Sequence, residues 1–576
     1  MRRSLKDGAL ICGAQGMGGV GKTALALKLA EELKPRYPDA QFYLDLRGAS
    51  GEPLSATRAM EHIIRAYHPT AKLPDEPAAL SALFHSALEG KRALLLWDNV
   101  KDAAQVAPLR PPATCLMLVT SRRHFAIQGL HSIGLDQMTE KEACELLLKI
   151  EPRIGGEAKR IAKLCGYLPL ALELAASALK VRKGVSPPEF ALRLSDSERR
   201  TKLLDKTDSE RKIEASRQSS YGLLDEVQRK LWRALAVFPE TFDYPAAAVW
   251  QAKDDEARDA LDDLVAYSLV EYDESKGRYR LHDLASDFAE AMLGEDEGER
   301  DEAKLRHAAH FQQLLSDAND LYWGGGNKVV EALAMFDRER INTETGQRWC
   351  AEKMDSNLAA ARLAKVYAAR GISILGLRLH PRERIEWLNV GMRACHKLDG
   401  RSGEGVALGY LGQSYADLGE TRRAIEFYEQ ALVIAREIGD RRGEGAWLGY
   451  LGRAYADLGE ARKAIGFHEQ ALVIDREIGD RRGEGADLGN LGRAYSDLDE
   501  TSKAIEYYEQ SIELAREIGY RYLEANNLLG WGDTLVKLGE ADRAIEMIEA
   551  ALSIYEQIES PRAETARKRL AELTGE

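Results

Sequence analysis

Long apolar runs, paired cysteines and an excess of positive charge are all missing from this 576-residue sequence. The longest apolar runs, such as ALLLW and CLMLV, fall far short of the roughly 20 residues that a membrane-spanning helix needs. No membrane association is therefore expected. The six cysteines, Cys12, Cys115, Cys144, Cys165, Cys350 and Cys395, are scattered and form no CxxC pair. That spacing argues against a zinc site or a redox dithiol. Without a disulfide framework, a reducing compartment is expected. Arg2 and Arg3 open the chain, but no apolar stretch follows that could act as a signal peptide. A cytoplasmic location follows. The net charge is −13, so general affinity for nucleic-acid phosphates is not expected.

Internal repetition is abundant by contrast. Residues 401–440 and 441–480 agree at about three quarters of their positions, 481–520 is a close third copy, and 521–560 is looser. A weaker version precedes them around PRERIEWLNVGMRAC. Each 40-residue unit holds two stripes of helical period. In the second unit the first stripe is Leu448, Leu451, Ala454 and Tyr455, and the second is Ala464, Ile465, Ala471 and Ile474. Glycine-containing segments, LGE and IGDRRGEG, are expected to be the turns between them. One helix pair cannot bury its own stripe, so the pairs must stack into a solenoid. The unit resembles a tetratricopeptide repeat of unusual length, through Leu451, Gly452, Tyr455, Ala464 and Ala471, although the usual terminal proline is absent. Residues 561–576 are expected to form a capping helix.

The front half differs. Apolar runs of strand type alternate with helical stretches up to about residue 290. ALICGAQ is followed by GMGGVGKT and then by TALALKLAEELK. A strand, a glycine-rich loop and a helix in that order form a phosphate cradle. Gly16, Gly18, Gly19, Val20 and Gly21 supply the loop, Lys22 reaches the phosphates, and Thr23, followed by Ala24, offers a hydroxyl to Mg²⁺. Gly16, Gly18 and Gly21 also spell the dinucleotide pattern GxGxxG, with Asp45 near the expected ribose-binding position. The Lys22–Thr23 pair decides for the phosphate loop, and Asp45 becomes an ordinary strand-end residue.

A second motif agrees. KRALLLWDNV ends a strand in Asp98, the place of a magnesium-binding carboxylate. Asn99 follows where many hydrolases carry a second acid. Asn binds water but cannot take its proton, so slow hydrolysis is expected. TCLMLVTSRR ends a further strand at Thr120, Ser121 and Arg122. Arg122 is a candidate γ-phosphate sensor; a surface ion pair is its ordinary alternative.

The ordered series GMGGVGKT, LLLWDNV, LVTSR, CGYLPLALEL and YRLHDLASDFA is similar to that of NB-ARC switches, of the STAND class of signalling ATPases. The resemblance covers residues 8–293. It implies a multidomain α/β plus α chain. The expected divisions are a P-loop nucleotide-binding domain over 1–136, a helical domain over 137–212, a winged-helix domain over 213–293, a helical arm over 294–395 and a tetratricopeptide solenoid over 396–576. By resemblance, Pro169 of GYLPL packs near the base or ribose, and His282 of LHD meets the β-phosphate of ADP. The ordinary alternative at the second site is a helix cap from Asp283. The family's adenine-contacting segment and effector domain normally precede the loop, and here only fifteen residues do. A core acting with a separate effector, or a fragment, is expected.

The function implied is an ATP/ADP switch, held closed by ADP, opened by an inducer on the repeats, and self-associating with ATP. Arg453 and Arg493, with Asp457 and Asp497, occupy equivalent positions on first helices of the repeats, and a peptide or protein inducer is expected there. A solvated charged face is the ordinary alternative. The winged helix would offer DNA the segment DDEARDALDDLVAYS, whose carboxylates repel phosphates, so no nucleic acid is expected. Two other functions remain open: an interaction scaffold with a structural nucleotide, or the core of a transcription regulator.

Overall fold

The computed structural model describes residues 11–48, 53–70, 73–74, 76–201, 208–248, 254–324, 327–558, 560 and 562–574. The chain forms two compact units, one of residues 1–311 with 340–346, the other of 312–339 with 347–576.

The first unit begins with strands β1 (Ile11–Gln15), β2 (Ala40–Asp45), β3 (Ala93–Val100), β4 (Leu116–Ser121) and β5 (Leu130–Gly134). They make one parallel sheet in the order β2-β3-β4-β1-β5. The runs ALLLW and CLMLV are unbroken because helices cover β3 and β4 on both faces. Alternation along a strand sorts their side chains. Leu94, Leu96, Leu116 and Leu118 pack against Ala26, Leu29 and Leu33 of helix α1 (Lys22–Leu33). Leu95, Trp97, Met117 and Val119 pack with Met60 and Ile63 of α2 (Ala56–Tyr67) and Phe84 of α3 (Pro77–Leu88). The strand order reverses beside β1, which opens a crevice at the carboxyl ends of β1 and β4.

A short helix α4 (Ala103–Val106) follows β3. Beyond β5 the unit is helical: α5 (Glu140–Ile150), α6 (Ala158–Leu164), α7 (Pro169–Val181), α8 (Pro187–Thr201) and α9 (Asp208–Tyr221). A capping box between Thr139 and Glu142 starts α5. Next come α10 (Glu226–Ala234), α11 (Tyr244–Ala248), α12 (Asp254–Ala266), the antiparallel hairpin of β6 (Glu271–Asp273) and β7 (Arg278–Arg280), and α13 (Asp283–Gly294). Asp273 closes the hairpin turn by accepting the N–H groups of Ser275 and Lys276 at 3.0 and 3.3 Å. Two 27-residue helices, α14 (Glu297–Trp323) and α15 (Asn327–Lys353), contribute residues to both units.

The second unit continues with α16 (Leu358–Arg370), α17 (Ile372–Arg378) and α18 (Pro381–Lys397). Four helix pairs follow: α19 (Arg401–Asp417) with α20 (Thr421–Ile438), α21 (Arg441–Asp457) with α22 (Ala461–Ile478), α23 (Arg481–Asp497) with α24 (Thr501–Glu517), and α25 (Arg521–Lys537) with α26 (Ala541–Gln557). Helix α27 (Arg562–Thr574) ends the stack on α26. A parallel α/β sheet followed by a helical repeat solenoid is the expected fold class. Leu448, Leu451, Ala454, Ala464, Ala471 and Ile474 are buried as expected. Gly452 lies under the ring of His468, which leaves no room for a Cβ.

One expected turn is corrected. IGDRRGEG is not a turn throughout. Gly439 ends α20 in the left-handed conformation (φ 72°), and α21 has already begun at Arg441. The segment RRGEG is helical despite two glycines because its first turn is pinned from outside. Asp440 caps the N–H of Gly443 at 2.9 Å, and Glu444 accepts from Arg436 at 2.9 Å and from Arg441 at 2.5 Å. Arg441 also reaches Glu477, 36 positions ahead. The same staple recurs at Arg476, Arg481, Glu484 and Glu517. These contacts act against the roughly 1 kcal/mol per glycine lost in a helix.

Candidate nucleotide-binding site

The loop between β1 and α1 is shaped by its glycines. Gly16 has φ 147°, and a Cβ there would fall 2.5 Å from the carbonyl oxygen of Leu135. Gly19 has φ 76°, and a Cβ would fall 2.6 Å from Cδ1 of Ile213 on α9. Gly21 (φ 90°) caps α1 without a side-chain hydrogen bond, and the first turn of α1 contains no acid. The positive end of the helix is thus left to a ligand. Gly18 is half-buried, Val20 is buried, and Ala24 is exposed on α1. Lys22 is buried and folds back over the loop, its Nζ donating to the carbonyls of Gly16 and Met17 at 2.8 and 2.6 Å.

Asp98 is 3% exposed and gathers three hydroxyls. Thr23 Oγ1 donates to Oδ1 at 2.8 Å and approaches Oδ2 at 3.2 Å. Thr120 Oγ1 donates to Oδ1. Tyr43 OH donates to Oδ2 at 3.1 Å. Burial pushes the Tyr43 phenol well above its usual range, and the Asp98 charge adds to this. Asn99 takes a left-handed conformation (φ 53°), tolerated by Asn better than by most residues. It breaks the β3–β4 register between Trp97 and Val100, and its N–H donates to Thr120 Oγ1 at 2.9 Å. Arg122 is half-buried at the end of β4, at the same sheet edge as Gly16. Asp45 accepts the Arg47 N–H at 2.7 Å, as a strand-end residue would.

Pro169 is the first residue of α7, where its missing N–H costs nothing. Gly166 (φ 62°) and Tyr167 (φ 55°) turn the chain into it. The next residue, Leu170, donates its N–H to the Gly19 carbonyl at 3.3 Å, so the start of α7 adjoins the loop. His282, half-buried, precedes α13, and its carbonyl accepts the Ser286 N–H at 2.9 Å. The capping position is therefore His282 and not Asp283, which is already helical; the Asp283 side chain lies outside the described residues.

The donor set fits a nucleoside phosphate with a divalent cation. Lys22 and uncapped helical N–H groups offer positive charge, and Thr23 already shares its hydroxyl with Asp98. Two contributors escaped sequence reading. Tyr43 lies in QFYLDLRG, two residues before Asp45 on the same strand face. Arg280 donates from Nη1 to Tyr43 OH at 3.5 Å across 237 positions. The strand alternation could have pointed to Tyr43; nothing local points to Arg280.

In the repeats, Asp457 meets Arg493 at 4.0 Å and Asp497 meets Lys537 at 3.9 Å. Arg453 stacks 5.1 Å over the Tyr450 ring. The charged positions thus form a ladder between successive units, with the side chains of Arg493 and Asp457 60% and 48% exposed. Among the described residues no helix is long and apolar enough to cross a membrane.

Comparison with known proteins gives four findings. The tetratricopeptide repeat family profile matches residues 403–477, 446–517 and 524–558. The regulatory protein AfsR of Streptomyces coelicolor is 36% identical over 333 residues, covering 55% of this chain and 33% of its own length. A disease resistance protein of Arabidopsis thaliana is 23% identical over 308 residues, covering 48% and 31%. The crystal structure of a STAND protein (Signal Transduction ATPase with Numerous Domains) with a tetratricopeptide repeat sensor, from Pyrococcus horikoshii, shares the fold with a TM-score of 0.60 at 18% identity, covering 100% of this chain and 84% of that one. The chain spans about a third of the length of the AfsR relatives it matches. It has the fold of a STAND ATPase with tetratricopeptide repeats, as its motif series implied.

Proposed function

We propose that this chain is a nucleotide-dependent signalling switch. ADP would sit on the loop of Gly16 to Thr23, with Pro169 beside the sugar or base and His282 toward the β-phosphate, and would hold the first unit closed. A peptide or protein engaging Arg453, Asp457, Arg493 and Asp497 would favour the open state by its differential affinity. ATP would then stabilise a self-associating form. A bound Mg²⁺, held by Thr23 and Asp98, would neutralise phosphate charge. Asn99 orients water without accepting its proton, so hydrolysis would act as a slow reset, with Arg122 as the γ-phosphate sensor.

One observation carries this reading. The phosphate loop is built into the helical domain through the Gly19 carbonyl to Leu170 N–H bond and the Gly19 contact with Ile213. A ligand that reshapes the loop must move α7 and α9. The test is the nucleotide released when the purified chain is denatured. Near-stoichiometric ADP is expected, and an empty protein would overturn the proposal. Lys22→Ala should release almost none. His282→Ala should bind ADP but lose it faster; retention equal to the parent's would remove His282 from the latch.

The ladder from Asp457 to Arg493 favours a second reading, because charges already paired between units suit a constitutive scaffold. An oligomeric state unchanged by ADP or a non-hydrolysable ATP analogue would select it. Similarity to AfsR regulatory proteins leaves a transcription-regulator core as a third use.

A further inference from the structure

The hydroxyl of Tyr43 joins two places that are far apart in sequence. On one side it donates to Oδ2 of Asp98 at 3.1 Å. On the other it accepts from Nη1 of Arg280 at 3.5 Å. Arg280 is held in place by its own hairpin. Its cross-strand partner Glu271 takes Nε at 3.0 Å and Nη2 at 2.6 Å, which turns Nη1 toward Tyr43. Lys276, in the turn of the same hairpin, stands 5.7 Å over the Tyr43 ring. The tip and the last strand of the hairpin therefore both rest on this one side chain.

Chemistry fixes the direction of the link. A guanidinium has only donors, and a carboxylate has only lone pairs. A phenol between them satisfies both in one orientation alone, with its proton on Asp98 and a lone pair toward Arg280. Neighbouring hydrogen bonds in such a chain strengthen one another. Asp98 itself is gripped once on each oxygen, by Thr120 on Oδ1 and by Tyr43 on Oδ2. Thr23 touches both oxygens and is the hydroxyl expected to serve a cation. The plane of the carboxylate is then set by Thr120 and Tyr43.

We propose that Tyr43 is a positioning residue that orients Asp98 for the divalent cation accompanying the nucleotide, and that Arg280 couples this orientation to the hairpin. The proposal rests on the nucleotide-site reading above. Groups that orient a metal ligand typically change cation affinity by about 10- to 100-fold when removed. Because coupling is reciprocal, a hairpin that strengthens cation binding is itself held more firmly once the cation is bound.

The test uses the full chain and ADP, titrated calorimetrically with excess EDTA and over a series of Mg²⁺ concentrations. In Tyr43→Phe the Mg²⁺ concentration for half-maximal enhancement should rise about tenfold, while affinity in EDTA stays within about twofold of the parent's. Arg280→Met should shift it the same way by less. The double variant should match Tyr43→Phe alone, because both act through one hydroxyl. Hydrogen exchange over 271–280 should slow with Mg²⁺–ADP relative to ADP in EDTA in the parent, and not in Tyr43→Phe. A parental Mg²⁺ midpoint in Tyr43→Phe, or equal losses with and without Mg²⁺, would overturn the proposal while leaving the switch reading intact. A parent that binds no ADP under either condition would overturn both.

Discussion

Gly19 meets two demands at once. Its φ of 76° disfavours any side chain, and a Cβ would run into Ile213. Gly19→Ala should therefore carry strain of about 1–3 kcal/mol and push the loop off α9. The expected result is a chain that melts a few degrees lower and yields much less nucleotide on denaturation. A second residue has no counterpart in the other units. His468 is buried and its Nδ1 donates to Asp487 at 2.9 Å, while Asp475 lies against Asp487 as well. Burial, then the charges of Asp487 and Asp480, push the Asp475 carboxyl up to about 7. The folded chain thus keeps a proton that the unfolded chain releases near pH 4. The contribution of this carboxyl to stability falls as pH rises through that window and levels off above about pH 7. Asp475→Asn should remove about 1 kcal/mol of the loss between pH 6 and 8, read as the difference between parent and variant in urea unfolding at the two values.

Among the elements, the staple of Glu444 is where a single change should be felt most. The side chain is nearly buried and accepts from two arginines, Arg436 of the preceding helix and Arg441 of its own. Glu444→Ala should cost about 1–3 kcal/mol, seen as a lower urea midpoint for the repeats, and Glu444→Gln should lose less. The staples also explain what was legible beforehand. Strands β3 and β4 stood out because burial on both faces demands unbroken apolar residues. The repeat stripes stood out because one face of each helix is buried. RRGEG was expected as a turn because glycine is a poor helix former. It is helical through Arg–Glu contacts that reach back 8 positions and forward 36, which no local reading supplies. At the candidate site, Lys22 and Thr23 are legible from the glycine-rich loop pattern, and Asp98 from the apolar strand that carries it. Tyr43 and Arg280 are not, since their meeting depends on how the hairpin folds onto the sheet.

For the whole molecule, the decisive quantity is association. Light scattering of the parent should show a monomer with ADP and a larger species with a non-hydrolysable ATP analogue when an inducer is supplied. Lys22→Ala should stay at one mass under all these conditions. Charge reversal at Arg453 and Arg493 together should abolish the inducer's effect and leave nucleotide content unchanged.

The near-identity of the units also bears on how their number can change. Removal of residues 441–480 would join Asp440 to Arg481 and excise one whole unit, and the staples would reconnect, with Arg436 meeting Glu484 as Arg476 does now. The polar cluster would not reconnect. Asp487 would face Tyr428 in place of His468, and Ala435 would stand where Asp475 does. A buried carboxylate would lose both of its partners. This junction is therefore an address within an otherwise repetitive stack. Length variants that arise by slippage are expected to keep units 441–480 and 481–520 side by side.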